Sequence, residues 1–237
     1  VVVRQNTAVH GRGGISTDGI TGTWENVLIA DNESGGTTAG MGLSLSSIHG
    51  TDIELRGNRS LVNAGAGSIY GGSSTFSTLR VIGNEAAGEA GGLQISSNST
   101  LQISDGLFQG NSSLGGSSAG GGAIRIYDSN QGTGTEQIDI SDSQFIGNRA
   151  FNGAGILQEG GDLTLSDSAF VGNESTSPNT GGGAGLYLTG ATASLMRVEV
   201  RENLGTGTNF NGGGLYASNQ TLDVQQSRFI GNQSRHG

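Results

Sequence analysis

The residues with the best claim to chemistry are carboxylates. Asp105, Asp142 and Asp167 each stand six residues before an Asn that closes a short apolar segment, and Asp52 holds the same place before Asn58. Two carboxylates about 5 to 9.5 Å apart across a glycosidic bond can share acid, base and nucleophile roles. Carboxylates stacked on neighbouring strands repel, which raises their pKa values or recruits a cation. A structural reading stands beside these two: Asp before a strand caps the turn with its own side chain. Little else in the chain suits catalysis. There is no Lys, no Cys and no adjacent Asp pair, and His10, His49 and His236 lie in unrelated contexts.

The elements that must position these residues follow from an internal repeat. Asn6, Asn32, Asn58, Asn84, Asn111, Asn148, Asn173, Asn203 and Asn232 each end an apolar segment, at spacings of 26, 26, 26, 27, 37, 25, 30 and 29. Three residues before each comes a large apolar side chain: Val3, Ile29, Leu55, Val81, Phe108, Phe145, Phe170, Val200 and Phe229. Between successive Asn residues lies a small-residue patch leading to an aliphatic one, such as GGI at 13–15, GGAI at 121–124 and GGGL at 212–215. Most units add a third alternation, LQI at 101–103 and LTL at 163–165 among them. Each unit thus reads as three short strands of period two separated by Gly, Ser, Asn or Asp turns.

Three strands in about 26 residues, recurring as the same three types, predict parallel pairing of each strand with its copy one coil away. The expected fold is all-β, a right-handed parallel β-helix of about 8–9 coils with three short strands per coil, in a single domain over 1–237. At a rise near 4.8 Å per coil the rod is roughly 40 Å long. The Asn column is expected at a corner, where Asn tolerates left-handed backbone and stacked amides satisfy one another. The glycine patches let the next corner turn without a Cβ in the way.

Composition narrows the functions. Gly supplies 46 of 237 residues against an average usage near 7%, so long helices are not expected. The net charge of −9 without basic clusters argues against nucleic acid, and no apolar run is long enough for a membrane-spanning helix. The absence of Cys removes disulfides and thiolate metal sites. The chain begins with Val1 and no leader, which points to a processed product or an excerpt of something longer.

FxxN at 108–111, 145–148, 170–173 and 229–232, alternating with GGAI-type patches, resembles the repeat of chlamydial polymorphic outer-membrane proteins. It is also similar to the Pmp-like and CSLREA-type β-helix proteins of environmental bacteria. The resemblance implies an extracellular or bacterial cell-surface, non-enzymatic β-helix: a rod, filament subunit or adhesin passenger module. Parallel β-helices also include polysaccharide lyases and tailspike glycosidases, so a glycan-binding or glycan-cleaving module is the alternative.

Neither a catalytic set nor a cofactor is expected, and the only metal candidate is the Asp105, Asp142 and Asp167 column. Outward neighbours of the aliphatic residues after the glycine patch, Gln94, Arg125, Tyr187 and Tyr216, form the expected binding face; the two tyrosines offer an aromatic platform. Its partners would be surface glycans or proteins of a host or neighbouring cell. Acid and base alternate just after the ladder Asn (Glu33, Arg59, Glu85, then Arg149, Glu174), which predicts a vertical ion-pair stack. Val1–Val3 already read as a core strand, so end-to-end self-association or further coils of the same chain are expected at the ends.

Overall fold

The computed structural model describes residues 1–115, 120–128, 136–177, 182–189, 192–207 and 210–235. His236 and the middles of the longer corner insertions lie outside these residues. The described chain is a parallel β-solenoid of about eight turns with three strands per coil and no helix. Every strand pairing is parallel and joins a strand to its copy one coil away; Val81, for instance, lies opposite Leu55 on one side and Phe108 on the other.

The strands divide into sheets differently from the sequence reading. The third alternation and the FxxN segment belong to one bent, 14-stranded sheet. In the early coils they form single strands, Thr21–Ala30, Ser47–Arg56 and Ser73–Ile82. From Thr100–Ser104 and Leu107–Gln109 onward they separate. The strands after the glycine patch, such as Gly67–Tyr70, Leu93–Ser96 and Ile124–Tyr127, make an eight-stranded sheet. The third face is a nine-stranded sheet of two- and three-residue strands that start right after each ladder Asn, Glu85–Ala86 among them. Strands this short carry no periodicity, so only their pairing reveals them.

Left-handed backbone marks two corners in every coil. Asn26, Asp52, Thr78, Asp105, Asp142, Asp167, Arg197 and Gln226, each six before a ladder Asn, have φ between 50° and 55°. The residue just before the ladder Asn is left-handed too, from Gln5 and Asp31 through Gly57 and Gly83 to Gly231. The ladder Asn itself is not, which corrects the expectation that Asn supplies the positive φ. Its role is in the side chain, which points inward.

From Asn32 to Asn203 these residues are 0–1% exposed, and each amide Nδ2 donates to Oδ1 of the Asn one coil on, at 2.8–3.0 Å. The same Oδ1 accepts the preceding Asn's backbone N–H, as from Asn84 to Asn111 at 3.0 Å. The second amide hydrogen goes back to the carbonyl of the apolar column: Asn111 to Val81 at 2.8 Å, Asn148 to Phe108 at 3.0 Å. One side chain per coil thereby satisfies the polar groups of a tight, buried corner.

The apolar column stacks beside it. Phe108, Phe145 and Phe170 are fully buried, with ring centroids 4.7 and 4.4 Å apart and planes within 4° of parallel. Strand spacing imposes this face-to-face stack on a parallel column. Ile29, Leu55, Val81 and Val200 are 0% exposed. Val3 is only partly buried and Phe229 is 43% exposed, because each has a neighbouring coil on one side alone. Small residues hold the corner between the short sheet and the eight-stranded one: a Cβ on Gly65 would lie 2.4 Å from the Gly91 carbonyl oxygen and 2.6 Å from that of Glu85. Gly183 is both crowded and left-handed (φ 61°), so no other residue fits without strain.

Replacing Asn111 by Ala orphans two buried donors of Asn84 and should cost about 3 kcal/mol or more, whereas Asn6→Ala at the exposed end should cost under about 1 kcal/mol. Urea titration of the two variants checks the difference. Thr78 is β-branched in a left-handed position, so Thr78→Asn should stabilise by about 1 kcal/mol in the same titration.

Candidate functional site

The aspartate column sits at the left-handed corner of the bent sheet. What that position demands is backbone geometry, and Asn, Asp and Gly adopt it most readily. Asn26 occupies it in one coil and four Asp residues in others, and Thr78, Arg197 and Gln226 also appear there. The three aspartates are exposed. Arg197, next along the column, grips Asp167 through Nε and Nη2 with both distances 2.6 Å. That hydrogen bonding, aided by the guanidinium charge and opposed by desolvation, holds the Asp167 carboxyl below its ordinary range. Asp105 Oδ2 lies 3.5 Å from the Thr78 hydroxyl. Among the described residues no three His, Asp or Glu side chains converge as metal ligands, and the guanidinium of Arg197 adjoins the Asp167 end of the candidate column.

The alternating charges after the ladder Asn are in register on the short sheet. Arg59 meets Glu85 at 3.0 Å and Arg149 meets Glu174 at 3.8 Å. All four side chains are 39–55% exposed, and each such pair contributes only about 0–1 kcal/mol.

Gln94, Arg125, Tyr187 and Tyr216 do share one outward column of the eight-stranded sheet, with Leu157 between Arg125 and Tyr187. Their accessibility departs from expectation. Arg125 is 5% exposed, with Nε 2.7 Å from Glu159 Oε2 and Nη1 3.0 Å from Glu89 Oε2. Its guanidinium also lies 4.8 Å from the Tyr127 ring centroid. Leu157 is 4% exposed, and a Cβ on Gly120 would touch it at 2.1 Å. Gly120 therefore packs against this part of the face.

Tyr187 and Tyr216 stack on each other, with centroids 5.0 Å apart and a tilt of 31°. Burial, reinforced by the Tyr216 and Glu159 charges, pushes the Tyr187 hydroxyl pKa up. Rings one coil apart have no choice but to stack, because the coil spacing equals a stacking distance. The expected platform is thus a self-contained pair whose inner faces are used up.

The open part of the same sheet lies lower down. A hollow of about 350 Å³ is lined by Asn63, Tyr70, Glu89, Gln94, Ser96 and Tyr127, and extends over Ser68 and Thr38 to Arg12. Tyr70, Ser96 and Tyr127 fall in one outward column on three successive coils. Tyr70 is 51% exposed and Tyr127 37%, while Ser96 between them is 8%. Gln94 Nε2 donates to Glu89 Oε2, which Arg125 also holds. Sequence reasoning placed Gln94 here and missed both tyrosines; the signal was an aromatic on every second coil, hidden because the intervening unit carries Ser. A second hollow of about 290 Å³, on the bent sheet, is lined chiefly by hydroxyls, with His49 donating to or accepting from Thr75 Oγ1 at 2.7 Å.

These features define the chain's class as a parallel β-solenoid of about eight turns. No family model, curated protein or solved structure matches it.

The Asp167–Arg197 pair has a pH signature. A depressed carboxyl pKa contributes stability that is present above the ordinary value of 3.8 and lost as pH falls through the lower folded value. Arg197→Gln should raise the Asp167 pKa towards 3.8, followed by carboxyl NMR titration, and should erase this part of the acid-side loss of stability.

Proposed function

We propose that the chain is a non-enzymatic structural β-helix of the extracellular or bacterial cell-surface kind, a rod or filament module that carries lateral surfaces towards neighbours. The observation that supports this reading is the unbroken amide ladder, running through the buried corner beside a continuous apolar core. Such a column resists bending and slippage, because moving any coil breaks its bonds to both neighbours at once. The polar residues that repeat from coil to coil serve the same end: aspartates in the left-handed corner, acid–base pairs on the short sheet.

The FxxN and GGAI-type repeats keep the Pmp-like and CSLREA-type surface proteins as the finer proposal. Partners on this reading are further coils or copies joined end to end, and molecules of a host or neighbouring cell that meet the lateral faces. Glycan cleavage would require free paired carboxylates, and Asp167 already holds Arg197 at 2.6 Å.

Negative-stain electron microscopy over a range of concentrations, together with a reducing-end assay on plant and bacterial polysaccharides, tests the reading. Straight rods, single or joined, at roughly 5 Å of length per coil and without chain cleavage are expected. Reducing-end release that disappears in Asp142→Asn or Asp167→Asn would overturn it.

A further inference from the structure

The geometry points to a binding site for one pyranose ring of a glycan chain in the notch between Tyr70 and Tyr127. We infer it from a spacing argument. Aromatic residues one coil apart stack on each other, as Phe108 on Phe145 and Tyr187 on Tyr216 do. Tyr70 and Tyr127 are two coils apart, and the residue between them is a recessed Ser96. Their attachment points are therefore separated by about 9–10 Å, twice the strand spacing. A flat aromatic guest needs only about 7 Å between two faces, one contact distance on each side. A chair-shaped pyranose with its axial hydrogens is thicker and fills the larger gap, its C–H faces against the rings.

The rest of the notch suits a sugar's rim. The amides of Gln94 and Asn63 both donate to and accept from hydroxyls, and the Glu89 carboxylate accepts from them. These groups are partly preset: Gln94 donates to Glu89, Arg125 holds Glu89 at 3.0 Å, and the Arg125 guanidinium rests against the Tyr127 ring. A site held this way loses less freedom on binding than one built from loose side chains. The hollow runs along the solenoid axis from Tyr127 down to Arg12, five coils in all, so it accommodates a chain of sugars and not a single one. Its volume of about 350 Å³ is within the ordinary range for a small-molecule site. This site goes beyond the rod reading and does not depend on it, since single rods and filaments expose the notch alike.

The test uses the whole chain and a panel of cello-, chito-, manno-, laminari- and xylo-oligosaccharides, with saturation-transfer NMR for contact and calorimetry for affinity. At least one probe should bind with its ring C–H protons saturated most strongly. Tyr70→Ala and Tyr127→Ala should each weaken that binding about ten-fold or more, and Tyr187→Ala and Tyr216→Ala should leave it unchanged. Ser96→Tyr fills the notch with a third ring at stacking distance. It should abolish binding while the urea midpoint stays level or rises, which separates loss of the site from loss of the fold. Failure of every probe, or binding that survives Ser96→Tyr, overturns the proposal; neither result bears on whether the chain is a rod.

Discussion

The side-chain amide of one inward Asn per coil is the constraint from which the rest of the structure follows. Its Nδ2 and Oδ1 are the right distance apart to link to identical groups about 4.8 Å above and below, the spacing of paired strands. Each amide also ties the corner to the apolar column through the carbonyl three residues before the Asn of the previous coil. Every ladder bond points the same way along the axis, so the coils are locked in register and in direction. With register fixed, the apolar column stacks without choice, and the phenyl rings meet at 4.4–4.7 Å.

Corners must close around that column with very little chain. The two left-handed positions per coil do this, one where the 14-stranded sheet bends and one just before the ladder Asn. The second is mostly Gly, which adopts the conformation freely. The first carries Asp, Asn and several residues that adopt it only under constraint, Thr78 above all. An aspartate column that looks like chemistry in a linear reading is thereby a column of backbone corners. Its charges are exposed and can be answered by any neighbour, as Arg197 answers Asp167.

The same periodicity that builds the rod disciplines its surface. A side chain on an outward column sees its copies at one coil spacing, so aromatic neighbours consume each other's faces. Only an interruption leaves room for a guest. Ser96 is such an interruption, and the ring on either side of it stays exposed. Elsewhere on that sheet Arg125 ends up inside a cage of Glu89, Glu159 and Tyr127.

The fold was legible because a solenoid turns sequence period into spatial register: Asn84 pairs with Asn58 and Asn111 because they recur at 26 and 27 residues. The same holds for the Phe column and for the acid–base pairs of Arg59 and Arg149. Three things were not legible. The short strands after the ladder Asn have no pattern of their own, and the left-handed φ fell on the residue before the Asn and not on it. Exposure on the outward face was the third. Gln94, Arg125 and Tyr187 share a column, yet one lines a hollow, one is buried and one is stacked. Repetition by itself determined which residues meet along the axis, since each coil's neighbours are its own copies. Only the tertiary structure decided which outward residues meet solvent, because that depends on which side chains of other strands and corners pack against them, as Glu89 and Glu159 do on Arg125.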